Sequence, residues 1–269
     1  WMPIPDRRVP SRTNLWRNSM DTLTGEYYVV NGEVRSTREN EGTFRASDYR
    51  FYEVMRVISR IALFQENHNE RLMHAVRVSG LPAEKLGMRL NESVSTLIMA
   101  NKTAEGNIKI LYRPSADSFD IAAYYIPHYY PAENEYRNGE KLINSQVNRP
   151  APHLKQVQVS DTIRSKIGNY LNGAEYYEVL LVDRNGHITE GSKSNFFLIR
   201  DEVLYSAPES MILKGITRHY VLELAKAIHI KCVFDTFELT DLPEFEAAFI
   251  CGTSPKILPV SARSEERRV

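Results

Sequence analysis

The sequence predicts a mixed α and β fold divided into two domains, and three observations carry that expectation. Strand-like apolar runs and segments of helical period follow one another in both halves of the chain. Between residues 127 and 152 (PHYYPAENEYRNGEKLINSQVNRPAP) prolines, asparagines and charges cluster and no apolar period persists, as in a linker. With 42% apolar residues, a 269-residue chain has material for two cores, which excludes a disordered, collagen-like or disulfide-scaffold protein. The expected division is an extension at 1–19, a first domain at 20–126, a linker at 127–152, a second domain at 153–260 and a polar tail at 261–269.

Each element has its own local reason. Residues 1–19 are basic, carry three prolines and lack either periodicity, so they read as an extension with Met20 as a natural start. Residues 26–34 (EYYVVNGEV) predict a hairpin, because Asn31-Gly32 accepts the positive φ that a two-residue turn demands. Residues 51–57 alternate as a half-buried strand. A helix over 67–79 follows from the spacing of Leu72, Ala75, Val76 and Val78, with Gly80 as its stop. Two more helices are expected at 83–90 and 93–101, then strands at 108–112 (IKILY) and 121–126 (IAAYYI). Beyond the linker the reading is a helix at 161–171, a buried strand at 177–182 and a tight turn at Asp183-Arg184-Asn185-Gly186 into 187–190. Strands at 195–199 and 203–205, a helix at 217–227 opened by Gly215, and a strand at 247–251 complete it. The tail (SARSEERRV) is polar and aperiodic and reads as a solvated, truncated or altered end.

Charge and cysteine content narrow the function classes. Lys and Arg number 34 against 34 Asp and Glu, so the basic excess of a nucleic-acid binder is missing. No run is apolar enough for a membrane span or a signal peptide. Cys232 and Cys251 both fall in runs read as buried strands, which argues against a metal cluster or a disulfide framework and for a reducing, cytoplasmic setting.

Three turns in the second half carry the chemistry. In 189–197 (TEGSKSNFF) an acid, a glycine and two serines sit at the mouth between two apolar strands. At Leu213-Lys214-Gly215-Ile216-Thr217-Arg218 a glycine precedes a helix, leaving the N–H groups of Ile216 and Thr217 and the Thr217 hydroxyl open to a phosphate. Cys251-Gly252-Thr253-Ser254-Pro255 follows a buried strand with another small, hydroxyl-rich turn. Singly these are a polar turn, a helix cap and a strand end. Together they describe an anion site.

These segments resemble the class IV, fold-type IV, pyridoxal-phosphate enzymes: branched-chain aminotransferases, D-amino acid aminotransferases and aminodeoxychorismate lyases. Glu190-Gly191-Ser192-Lys193-Ser194-Asn195 is similar to that family's E-G-S-x-S-N signature, and Gly215-Ile216-Thr217-Arg218 to its G-(I/V)-T-R signature. In the first half, residues 51–57 (FYEVMRV) resemble its F-E-x-x-R strand, and His68-Asn69-Glu70-Arg71-Leu72 its H-x-x-R-L helix. The likeness covers residues 26–260. It implies a two-domain fold with a smaller N-terminal α/β domain and a larger, β-rich C-terminal domain with helices. It also implies pyridoxal 5′-phosphate as cofactor, no metal, amino acid and 2-oxo acid substrates, and a homodimer with the active site near the subunit interface.

The resemblance assigns roles residue by residue. Arg71 would reach the cofactor phosphate with a guanidinium that stays charged at any working pH. Glu190 would pair with the pyridine nitrogen and keep the ring an electron sink. Ile216, Thr217 and Thr253 would bind phosphate, with Ser194 and Asn195 completing the cofactor site. Tyr52, Lys109 and Ser254 would stand beside the substrate. The lysine that carries the cofactor as an imine precedes the signature glutamate by a little over thirty residues in the family. Lys155 stands 35 residues before Glu190 and Lys166 only 24, inside an expected amphipathic helix, which selects Lys155.

Two departures leave the catalytic groups in place: Ser47-Asp48-Tyr49-Arg50 replaces a G-D-G turn, and Gln158 stands three places after the lysine. The family also continues past its last strand into a C-terminal helix, where this chain has nine mostly polar residues after Val260. Three readings follow: an aminotransferase, branched-chain-like or D-amino-acid-like; an aminodeoxychorismate lyase releasing pyruvate; and a degenerate, non-catalytic homologue.

Overall fold

The structure, a computed structural model, describes residues 22–40, 44–171 and 175–263. The extension expected at 1–19, the start at Met20 and the last six residues of the tail lie outside the described residues. In the first half, β1 (Tyr27–Val30), β2 (Glu33–Ser36), β3 (Phe51–Ile58), β4 (Ile61–Ala62), β5 (Gly106–Ser115) and β6 (Ser118–Ile126) form an antiparallel sheet ordered β2-β1-β6-β5-β3-β4. The expected hairpin joins β1 to β2, with φ of 52° at Asn31 and 87° at Gly32.

Two helices, α1 (Gln65–Val78) and α2 (Leu86–Ala100), cover one face of this sheet. Phe51, Met55 and Val57 of β3 pack there with Leu72 and Val76 of α1 and Leu90 and Leu97 of α2. The opposite face presents Tyr52 and Val54 with Leu111, Ala122 and Tyr124. Register sets Lys109 opposite Val54 and Asn107 opposite Arg56, which places both on that second face. The period of two thus sends Glu53 toward the helices and Tyr52, Lys109 and Asn107 away from them.

The two helices expected at 83–90 and 93–101 are one. Asn91 and Glu92, polar enough to suggest a break, lie on the exposed side of α2 while Leu90, Ser93, Val94 and Leu97 keep one buried stripe. No glycine or proline interrupts that stripe.

The segment expected as a linker contains regular structure: α3 (Glu133–Asn138) and β7 (Glu140–Gln146). β7 lies inside the second sheet, parallel to both of its neighbours. A parallel strand takes its partners from far along the chain, so nothing local in EKLINSQ announces it. The other elements are α4 (Val157–Ile167), β8 (Glu178–Val182), β9 (Ile188–Gly191), β10 (Asn195–Arg200), β11 (Val203–Ser206), α5 (Ile216–Ala227), β12 (Cys232–Phe234), β13 (Ala247–Gly252) and β14 (Lys256–Arg263). The second sheet is ordered β12-β11-β10-β13-β14-β7-β8-β9. Leu180, Ile188, Phe196, Leu198, Ile250 and Leu258 form one core, while Phe197 and Cys251 pack against Val221 and Ala225 of α5.

The start of the expected polar tail, residues 261–263, belongs to β14, which passes a bulge between Val260 and Ala262 and continues along β7. Backbone pairing holds it, and side-chain polarity carries no signal of that. Cys251 is buried as expected, but Cys232 is only half-buried because β12 is the edge of its sheet; both thiols are free. Among the described residues no helix is long and apolar enough to cross a membrane, and no cluster of metal-ligating side chains is found.

Candidate active site

The segment carrying Lys155 is held extended by the first sheet. The Tyr52 N–H donates to the Lys155 carbonyl at 3.1 Å, and the Val157 N–H donates to the Arg50 carbonyl at 3.0 Å. Lys155 Nζ then lies 5.1 Å from the centroid of the Tyr52 ring and 4.0 Å from Glu53 Oε2. Lys109 Nζ approaches the same ring at 4.8 Å. Burial lowers the pKa of Lys155 to about 8; Glu53 and Glu190 resist that fall, while Arg71 and Arg149 add to it. Lys166, the competing lysine, is exposed in the last turn of α4 and does not line the cavity.

Behind Lys155, Glu53 is fully buried and gathers two further groups. Arg71 binds it with both arms of a fork, Nε to Oε1 at 2.7 Å and Nη2 to Oε2 at 2.6 Å. His68, one helical turn before Arg71 on α1, contributes Nδ1 at 2.8 Å from Oε2. Burial alone would raise the Glu53 pKa, but Arg71, Lys155 and His68 together hold it far below the usual carboxylate range. Arg71 Nη1 donates to the Lys214 carbonyl at 2.8 Å, just before α5.

A second buried acid closes another wall. Glu190, at the end of β9, is ion-paired with Arg149 (Oε1 to Nε, 2.7 Å) and accepts from the Leu213 N–H at 3.0 Å and Asn195 Nδ2 at 3.3 Å. Burial raises its pKa to about 7, against the pull of Arg149. Arg149 also donates to the Ser192 carbonyl at 2.9 Å. Ser194 donates to Glu178 Oε2 at 2.8 Å, and Ser192 to Oε1 at 3.1 Å, so the signature serines brace a third buried carboxylate.

The start of α5 faces the same cavity. Its N-cap is Gly215, which brings no side chain to cap the helix, so the first N–H groups, those of Ile216 and Thr217 included, remain free of a side-chain cap. A Cβ at Gly215 would stand 2.0 Å from Asn195 Oδ1, so a larger residue there would have to displace an amide that is bonded to the Leu213 carbonyl and Glu190. In the turn between β13 and β14, the Thr253 hydroxyl donates to the Val54 carbonyl at 3.4 Å. Ser254 Oγ accepts from Asn107 Nδ2 at 2.8 Å. The Tyr52 hydroxyl donates to Ser160 Oγ at 3.0 Å.

All the expected site residues, Tyr52, Arg71, Lys109, Lys155, Glu190, Ser194, Asn195, Ile216, Thr217, Thr253 and Ser254, line one cavity of about 240 Å³ between the two sheets. The donor set fits pyridoxal phosphate. The positive charge and remaining N–H groups of Arg71 and a helix N-terminus suit its phosphate, a buried carboxylate suits its ring nitrogen, and a lysine of lowered pKa suits its aldehyde. Reading the sequence missed Arg149, hidden in the presumed linker, and gave Glu53 and Asn107 no role. Glu53 lay in plain view within the F-E-x-x-R resemblance; Arg149 had no local signal.

A largely buried lysine, a buried acid and an uncapped helix start between two sheets fit a fold-type IV pyridoxal-phosphate enzyme. The family model for class IV amino-transferases matches residues 50–262, and the chain belongs to that family as a pyridoxal-phosphate-dependent transaminase. Escherichia coli branched-chain-amino-acid aminotransferase is 27% identical over 273 residues, covering 90% of this chain and 86% of that one. A Rickettsia conorii protein described as a probable branched-chain-amino-acid aminotransferase is 27% identical over 194 residues, 65% of this chain and 66% of that one. A crystal structure of an Escherichia coli branched-chain amino acid aminotransferase superposes with a TM-score of 0.78 at 23% identity, covering 90% and 87% of the two chains. The Thermobaculum terrenum branched-chain aminotransferase, solved in its PLP-form, gives 0.72 at 20% identity, covering 90% and 87%.

Proposed function

We propose that this transaminase moves the amino group of a branched-chain amino acid to a 2-oxo acid, with pyridoxal 5′-phosphate in the described cavity and Lys155 as its catalytic lysine. The observation that carries this reading is Lys155 Nζ, extended over the Tyr52 ring in the same cavity as Glu190 and the start of α5. The relatives named for branched-chain amino acids support the substrate class.

When bound, the cofactor supplies an aldehyde that condenses with amines and a ring that accepts the electron pair left at the substrate Cα. Arg71 and the N–H groups of Ile216 and Thr217 bind the phosphate, aided by Thr253. Glu190, oriented by Arg149, Asn195 and the Leu213 N–H, holds the proton on the ring nitrogen. Lys155 Nζ, as a neutral amine, would take the proton from the substrate Cα and deliver it to C4′ of the cofactor, on the other side of the intervening nitrogen. Lys109 faces the substrate carboxylate, with Tyr52 and Ser254 flanking it. The enzyme acts as a homodimer in the cytoplasm, a setting consistent with two free thiols.

Borohydride treatment of protein loaded with pyridoxal phosphate, followed by peptide mapping, should place the reduced adduct on Lys155. An adduct on Lys166 instead overturns the lysine assignment. A panel of L- and D-amino acids with several 2-oxo acids, run beside aminodeoxychorismate, should give highest turnover with L-leucine, L-isoleucine and L-valine. Pyruvate released from aminodeoxychorismate without any amino acceptor would overturn the branched-chain reading.

A further inference from the structure

The residue that this reading leaves without a task is Glu53. Its carboxylate has no access to solvent and does not line the cavity, yet it is ion-paired with both the arginine assigned to phosphate and the lysine assigned to catalysis. The Arg71 fork occupies both of its oxygens, and Oε2 is shared with His68 Nδ1 at 2.8 Å and Lys155 Nζ at 4.0 Å. Burial lowers the His68 pKa, so at neutral pH its imidazole is uncharged and donates Nδ1–H to the carboxylate. With Nε and Nη2 held by Glu53 and Nη1 by the Lys214 carbonyl, Arg71 is fixed in orientation before any ligand arrives.

We propose that Glu53 is a positioning residue that couples the phosphate-binding Arg71 to Lys155, fixing where the guanidinium points and how firmly Lys155 holds its proton. The physical basis is one shared negative charge. An anion about 4 Å from an ammonium favours the charged amine, and a guanidinium on the same anion offsets that effect. The charged groups facing Lys155 are Glu53 and Arg71 from β3 and α1, Arg149 from the stretch after β7, and Glu190 from β9; the Tyr52 ring, which Lys109 also approaches, lies beside it. Removing either partner of the Glu53–Arg71 pair should therefore move Lys155 in opposite directions.

The inference rests on Lys155 being the catalytic lysine, and its test is independent of turnover. In cofactor-free, full-length protein, trace acetylation with acetic anhydride across pH, read from the Lys155 peptide by mass, reports the midpoint at which Lys155 loses its proton. Glu53→Gln should lower that midpoint by about one pH unit, and Arg71→Gln should raise it by about the same. Should E53Q fail to fold, R71Q decides alone. An unchanged midpoint in folded E53Q, or a fall in R71Q, overturns the proposal. An adduct that maps away from Lys155 defeats the functional reading instead, so the two failures are distinguishable.

Discussion

Lys155 owes its lowered pKa to burial and to its neighbours. A solvated lysine is almost wholly protonated at neutral pH, and burial beside Arg71 and Arg149 brings this one to about 8. Only the neutral amine attacks an aldehyde, so the rate at which cofactor-free protein captures pyridoxal phosphate should rise with pH through about 8 and level off above it; stopped-flow absorbance measures this. A profile still rising steeply past pH 10 would contradict the depressed pKa. Lys155→Ala should abolish the borohydride adduct and cut transamination by at least about 100-fold, the usual contribution of a positioned acid–base group. Glu190→Gln should lower kcat, again by about 100-fold, while changing KM little, because the carboxylate acts on the ring and not on the substrate.

At the scale of elements, the position of α5 is set by one missing methyl group. Asn195 Oδ1 lies where a Gly215 Cβ would be, and Asn195 itself is held by the Leu213 carbonyl and Glu190. Gly215→Ala should therefore push the helix start away, at a cost of about 1–3 kcal/mol. The expected reading is a 10- to 100-fold loss of pyridoxal phosphate affinity, by the arithmetic of about 1.4 kcal/mol per decade, measured by fluorescence titration. Wild-type affinity in this variant would mean that α5 does not hold the phosphate. The same scale shows what local pattern conveys. The Asn31-Gly32 hairpin and the strand period of β3 were legible because each depends on neighbours within a few residues. The unity of α2 was not, because the polar pair Asn91-Glu92 is compatible with either a break or an exposed helix face.

The whole molecule is organised around the cleft between its sheets. The Tyr52–Lys155 backbone bond, Arg71 on the Lys214 carbonyl, Asn107 on Ser254 and Thr253 on the Val54 carbonyl all join the first half of the chain to the second. A ligand held from both sides stabilises the folded chain by mass action, about 2.7 kcal/mol at one hundred times Kd. Adding pyridoxal phosphate should raise Tm by roughly 5–10 °C in scanning fluorimetry. Asn107→Ala, which cuts one of these bridges, should reduce that gain without moving the borohydride adduct from Lys155. An equal gain in the variant would show that the bridge does not contribute.

Through its resemblance to a known family the sequence conveyed the class of enzyme and the expected site residues that line the cavity, because the matching motifs are short local runs. The run from Glu190 to Asn195 and the glycine before α5 are such features, and the family's spacing from lysine to glutamate picks out Lys155. Tertiary structure alone decided that Arg149 orients Glu190, that Glu53 joins Arg71 to Lys155, and that β7 and the end of β14 belong to one sheet. Each of these depends on a contact between residues far apart in the chain. Charge pairing and parallel strand pairing depend on distance in space, which the order of residues does not record.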